Sequence, residues 1–227
     1  MSSRESPKSR IVSVVVDNDS WIIPLTEELV DRLNNSGHDA KLCRNHRDVR
    51  EGYVAFYLSC VKITPKEVLR LNKYNPVVHP SDLPKGRGFS PLWWQVLEGK
   101  NQIPVCMFNA VPELDAGPII YREEISLKGS ELIEELREVF GKKTLDLCYK
   151  FMQEEEPIRM ADQTGAQTYY PRRSSRSGQL DVSKSIADQF ELLRISDNER
   201  WPAWFQYRGR KYILKVYDEK DKNDSVK

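Results

Sequence analysis

The chain has 227 residues, 39% hydrophobic and 30% charged, a composition able to build one packed domain with a small appendage. Its 35 Lys and Arg nearly balance 34 Asp and Glu, for a formal net charge of +1, so clamping a nucleic-acid backbone is not expected to be its main work. The four cysteines form no CxxC pair or zinc spacing, the first ten residues are polar, and no run of about 18 apolar residues occurs; a soluble cytoplasmic protein with no metal site, leader or membrane span is expected.

Residues 1–9 read as a disordered lead-in. Ile11 to Val16 is a β-branched run suited to a strand buried on both faces. Asp17 to Ser20 breaks it, and a helix follows from about Pro24, with Leu25, Leu29, Val30 and Leu33 on one stripe. Asn35–Ser36–Gly37 ends that helix, and Ala40 to Cys43 is a short strand. Tyr53 to Leu58 is the next strand, and Thr64 to Tyr74 a helix opened by Thr64–Pro65. Val77–Val78 forms a strand that runs into His79–Pro80, and Pro91 to Glu98 is helical. Val105 to Ala110 and Pro118 to Ile125 are strands joined through Asp115–Ala116–Gly117. A long helix spans about Ser130 to Glu155, burying Leu132, Leu136, Val139, Leu145, Leu147 and Phe151.

Strand and helix alternate through residue 125, the pattern of a doubly wound, mostly parallel α/β sheet. Such sheets bind ligands beyond the carboxyl ends of their strands, where His79 and Asp115 stand. After Pro157 the composition turns polar and basic, with Tyr169–Tyr170–Pro171–Arg172–Arg173, a helix from Ser183 to Arg194, and a hairpin turning near Gly209. The expected organisation is a catalytic domain at 10–160, a small C-terminal extension at 161–217, and disorder at 1–9 and 218–227. An isolated hairpin is unstable, so this one must pack on the core or on a second subunit.

His79 sits in a loop stiffened by Pro80, Pro84 and Pro91 and opened by Gly86 and Gly88, the composition of a binding loop. Taken with Leu114–Asp115–Ala116–Gly117 before an apolar strand, the segment His79–Pro80–Ser81, Leu83–Pro84, Gly86 and Gly88 resembles the folate-dependent formyltransferases over residues 10–125. Tyr169 to Arg173 with Leu180–Asp181 resembles the linker of methionyl-tRNA and aminosugar formyltransferases, and the ending with Trp201–Pro202–Ala203 and Lys211 to Lys215 looks most like the sugar-nucleotide N-formyltransferases. That resemblance implies transfer of a formyl group from 10-formyltetrahydrofolate to the amine of a UDP- or dTDP-linked amino-deoxysugar for a surface polysaccharide or a nonulosonic acid. His79 would exchange the proton and Asp115 would orient it. The carrier would lie against Leu58, Ser59, Ile63, Ala110, Val111, Glu113, Leu114 and Asp115.

The acceptor would meet Ser81, Lys85, Gly86, Arg87, Gly88, Trp93, Trp94 and Arg172. Lys85 and Arg87 could meet a diphosphate or be solvated loop charges. One of Trp93 and Trp94 is expected in the core and the other on the substrate, and Arg172 and Arg173 could face substrate or pin the tail. Val77 departs from the family pattern, which has Asn there to bind the formyl oxygen; losing such a donor costs on the order of a hundredfold in rate. Asn75, Asn109, Ser59, Ser81 or a backbone N–H are the replacements the sequence offers. The partners implied are a nucleotide sugar and, as among relatives, a second copy in a homodimer. The alternatives are a methionyl-tRNA formyltransferase-like enzyme, which would bring a longer chain and a basic surface, and a catalytically weak folate- or nucleotide-binding relative.

Overall fold

The computed structural model describes residues 9–219, so the expected disordered ends at 1–9 and 218–227 fall almost wholly outside the described residues. In chain order the elements are β1 (Ile11–Val15), α1 (Ile23–Asn35), β2 (Asp39–Cys43), β3 (Gly52–Tyr57), α2 (Lys66–Leu69), β4 (Asn72–Tyr74), β5 (Pro76–His79), β6 (Arg87–Gly88), α3 (Pro91–Leu97) and β7 (Gln102–Asn109). They continue with β8 (Ile119–Ser126), α4 (Ile133–Gln153), β9 (Tyr169–Tyr170), α5 (Phe190–Arg194), β10 (Ala203–Tyr207) and β11 (Arg210–Leu214).

The main sheet runs β2-β1-β3-β5-β7-β8, with β4 also paired to β3. Pairs from β2 through β5 are parallel, and β7 and β8 are antiparallel to their neighbours. The sheet is therefore mixed and mostly parallel, as the alternation of elements implies. β1 lies between β2 and β3, so four of its five residues are buried, which a β-branched run tolerates well.

One face packs on α1 and α4, where Val12, Val14, Phe56, Val78 and Met107 meet Leu29, Leu33, Phe140 and Phe151. Phe56 and Phe151 meet edge-on with ring centroids 5.5 Å apart, and truncating a fully buried Phe of this kind costs about 3–5 kcal/mol. Because Val78 faces that core, the strand's two-residue period turns Val77 and His79 to the opposite face, where Leu83, Cys106 and Phe108 gather.

Two expected helices are corrected. Thr64 to Tyr74 is not one helix: α2 ends at Leu69, and Asn72–Tyr74 adds to the sheet beside Gly52–Val54. Asn72 anchors that strand by donating from Nδ2 to the Arg50 carbonyl. Ser183 to Arg194 is a 3₁₀ turn at Ala187–Gln189 followed by the short α5. Asp181, Ser183, Ser185 and Asp188 hydrogen-bond locally there and draw the backbone away from a helical ladder.

α4 starts at Ile133 rather than Ser130, because Glu131 turns back to accept from the Lys128 and Gly129 amides and to bind Arg194. Leu132 and Val139 are only half-buried. Other boundaries move by one to three residues. The hairpin β10–β11 packs on the chain's own Leu180 and Leu193, and Arg137–Asp197 and Arg200–Asp19 contacts tie its approach to the main body. No helix among the described residues is long and apolar enough to cross a membrane.

Candidate active site

His79 ends β5 and is 7% exposed. Its Nε2 lies 2.9 Å from the Gly86 carbonyl oxygen. A carbonyl can only accept, so Nε2 carries a proton and Nδ1 is left without a hydrogen-bond partner among the described residues. The loop 80–88 thus folds back and fixes the ring it follows.

Asp115 comes from the segment between β7 and β8. Its Oδ2 accepts from the Gly88 amide at 2.8 Å and stands 4.0 Å from His79 Nε2. The expected pair is brought together, but Gly86 rather than Asp115 makes the direct bond to the imidazole. Asp115 has φ +49°, and Gly117 packs so tightly that an added Cβ would lie 1.7 Å from the Asn109 carbonyl oxygen. Of four non-glycine residues with positive φ among the described residues, Ser59, Ser90 and Asp115 line the same cavity, while Arg208 sits in the hairpin turn. Strain of this kind gathers at sites where surrounding contacts impose it.

At Asp115 those contacts come from the C-terminal segment. Gln163 donates to the carbonyls of Asp115 and Gly117, both at 2.8 Å, and accepts from Arg87 Nη2 at 2.6 Å. β9 pairs with β6, matching Gly88 to Tyr170, and Phe89 donates to the Tyr170 carbonyl at 3.0 Å. Any side chain at Gly88 would meet that carbonyl oxygen at 2.5 Å. The loop that grips His79 and Asp115 is therefore stitched to residues 163–170.

A cavity of about 880 Å³ opens beside His79 and Asp115. On the expected carrier side, Ser59, Ile63, Ala110, Val111, Glu113 and Leu114 line it, while Leu58 is 1% exposed within the main core and does not. On the expected acceptor side, Gly88, Trp93 and Arg172 line it.

Ser81, Lys85, Gly86, Arg87 and Trp94 do not line the cavity. Ser81 is buried, Lys85 is exposed, Gly86 is committed to His79, and Arg87 is buried against Gln163. Trp94 stacks on Tyr170 and donates to the Pro171 carbonyl, so this tryptophan pins the tail.

Val77 lines the cavity; neither Asn75 nor Asn109 does. Asn75 donates from Nδ2 to the Leu69 carbonyl, and Asn109 Oδ1 accepts from the Asn75 amide. The Asn75 donor and the Asn109 acceptor thus join the start of β5 to its neighbours.

The loop after β3 is held by Asp17, which accepts from the Val61 and Lys62 amides at 2.9 Å, with His46 Nε2 3.3 Å away. Burial pushes the Asp17 carboxyl up, but the Asn18 amide, the two backbone N–H groups and His46 outweigh it and hold it below the usual range. Burial pushes His46 down. Ligand atoms of Asp17, His46 and Cys60 cluster within 4.8 Å of one another. The Asp17 oxygens already serve the loop, and burial pushes the Cys60 thiol up to about 12, so this group fits a latch better than a metal centre.

Arg173, left open between substrate and tail by the sequence, lines the cavity, whereas sequence reasoning missed Trp21 and, from the C-terminal segment, Trp201, Trp204 and Lys211. The clustered aromatic and basic residues after Pro157 were the signal, but their approach to Trp21 depends on tertiary packing. Gln163 gave no signal at all.

Comparison with known proteins matches residues 4–149 to the formyl transferase family model. A methionyl-tRNA formyltransferase of Sulfurihydrogenibium sp. is 29% identical over 164 residues, 70% of this chain and 51% of that protein. The chain spans about half the length of the curated relatives it matches. Among solved structures, a methionyl-tRNA formyltransferase from Clostridium thermocellum superposes with a TM-score of 0.76 at 20% identity, covering 93% of each chain. A sugar N-formyltransferase from Shewanella sp. gives 0.63 at 16% identity, covering 92% of this chain and 98% of that one. HypX from Aquifex aeolicus in complex with tetrahydrofolic acid gives 0.72 at 13%, covering 92% and 38%. These likenesses establish the shared fold, and the match over well more than half of the sequence establishes the family: the chain belongs to the formyl transferases.

Proposed function

We propose that the chain transfers the formyl group of 10-formyltetrahydrofolate to the amine of a nucleotide-linked amino-deoxysugar. The observation that carries this reading is the shared cavity: His79 and Asp115 open into one space that Trp21, Trp201, Trp204, Arg173 and Lys211 also line. At about 880 Å³ it has the size of a site for small molecules, and its aromatic and cationic lining suits a base and a phosphate. A folate-type donor is supported by the family and by the tetrahydrofolate complex of HypX.

In this reading a neutral amine attacks the formyl carbon, the carbonyl oxygen becomes negative and the nitrogen positive. His79 Nδ1 takes the nitrogen's proton, with Nε2–H held by Gly86. Asp115, 4.0 Å from the ring, stabilises the imidazolium through space, and its bond from Gly88 keeps the carboxylate in place. The proton then passes to the departing folate nitrogen. With Val77 offering no donor, stabilisation of the oxygen falls to another group at the cavity wall.

A second reading, formylation of methionyl-tRNA, is favoured by the names of the curated relatives. The test offers 10-formyltetrahydrofolate with a panel of UDP- and dTDP-amino sugars and, separately, with charged initiator tRNA, read by mass. Formylation of a sugar nucleotide is expected. Formylation of tRNA alone would transfer the assignment to the second reading.

A further inference from the structure

Among the described residues four arginines line the cavity, and three are engaged. Arg137 binds Glu134 and Asp197, Arg200 donates to the Asp19 carbonyl, and Arg172 lies over the Phe89 ring at 4.4 Å. Arg173 makes no hydrogen bond or ion pair with any described residue, and its Nε is shielded from solvent without an acceptor. Arg50, Arg87 and Arg137 also leave a shielded Nε without an acceptor, but each is held through its terminal nitrogens, as the fully buried Arg194 is by Glu131 and Glu191; Arg173 is held through none of its nitrogens. A desolvated cation without a counter-charge is costly, and an anionic ligand removes that cost.

We propose that Arg173 is the anion-binding group of the acceptor subsite, taking phosphate oxygens of a diphosphate-linked acceptor. The identity of the phosphate carrier rests on the nucleotide-sugar reading above; the anion site itself does not. Arg173 follows β9 by three residues, and β9 is paired to β6, so the cation is held at a fixed offset from Gly88 and hence from Asp115. It comes from the C-terminal segment that also brings Ser174, Gly178 and Trp204 to the cavity, whereas the carrier is assigned to the chain segments 59–63 and 110–115. The guanidinium fork matches two phosphate oxygens, whereas an ammonium offers only a point charge. Burial alone pushes the Arg173 guanidinium down, with no carboxylate opposing it, which accords with a group awaiting an anion.

The test uses the full chain and titrates inorganic diphosphate, UDP and tetrahydrofolate pentaglutamate calorimetrically into the wild type, Arg173→Gln and Arg173→Lys. Diphosphate and UDP affinity should fall about tenfold or more in Arg173→Gln and recover in part in Arg173→Lys, with pentaglutamate binding unchanged. Because the free protein loses an uncompensated cation, Arg173→Gln should melt at the same temperature as the wild type or higher. Four results would overturn the proposal: no diphosphate binding to the wild type, equal binding to Arg173→Gln, loss of pentaglutamate affinity (a carrier-tail site), or a sharply lowered melting temperature (a structural cation). If diphosphate binding depends on Arg173 but no amino-sugar nucleotide is formylated, the anion site stands and the nucleotide-sugar reading fails. If amino-sugar nucleotides are formylated with an unchanged KM in Arg173→Gln, the reverse holds.

Discussion

Replacing Gln163 by Ala tests whether the C-terminal segment holds the catalytic loop in place. The change removes two amide bonds to the Asp115 and Gly117 carbonyls, worth about 1 kcal/mol each, and a charge-assisted bond from Arg87 worth about 1.5–3 kcal/mol. The gross loss is about 3.5–5 kcal/mol. Gln163 is half-buried, so water can reach the orphaned groups, and a net cost of about 2 kcal/mol is expected. For a chain of this size that lowers the melting temperature by about 4–8 °C.

Loosening the loop that carries Asp115 should also lower kcat roughly tenfold, since small misplacements of reacting groups are expensive. Gln163→Glu separates the two roles: it keeps an acceptor for Arg87 but offers no donor to the carbonyls. It should recover part of the melting temperature and none of the rate. Calorimetric melting and steady-state formyl transfer read both quantities. Wild-type melting and turnover in Gln163→Ala would refute the coupling.

Gly88→Ala places a Cβ 2.5 Å from the Tyr170 carbonyl at φ +96°, so it should separate β6 from β9, withdraw the amide from Asp115 and cut kcat roughly a hundredfold. Gly37→Ala, also at positive φ but with nothing within 4 Å, is the control and should leave the rate unchanged. The His46 latch predicts a pH effect. Burial lowers the His46 pKa, so the unfolded chain binds the proton first as pH falls below about 6.5, and stability declines with acid; Asp17, held low, adds a loss in the same direction as pH falls through its folded value. His46→Gln should therefore flatten the melting temperature between about pH 5 and 7, and parallel curves for the two proteins would contradict this. Val77→Asn should raise turnover about tenfold or more by supplying an oxygen donor; a properly folded variant with no gain means another group already serves.

The sheet and the nearness of His79 to Asp115 were legible because their signals are local. The β-branched run at Ile11–Val15 and the stripe of α1 state their burial in their own periodicity, and His79 and Asp115 lie in loops with distinctive Pro and Gly spacing. What joins the pair was not legible. The β6–β9 bridge has two residues on each side, and Gln163 bridges 48 positions to Asp115, distances at which a sequence carries no periodic trace. Trp93 and Trp94 show the same limit: adjacency in sequence cannot say that one lines the cavity while the other stacks on Tyr170. Asn75 and Asn109 were near His79 in sequence or sheet order, yet Asn75 Nδ2 and Asn109 Oδ1 are engaged at the start of β5 and neither residue lines the cavity.

The most direct test of the assignment is formyl transfer by the wild type and His79→Asn, offered 10-formyltetrahydrofolate with amino-sugar nucleotides and with methionyl-tRNA in parallel. The account predicts a formylated sugar nucleotide made by the wild type, no formylated tRNA, and no product from His79→Asn. Near-normal turnover in His79→Asn, or product on tRNA alone, would contradict it.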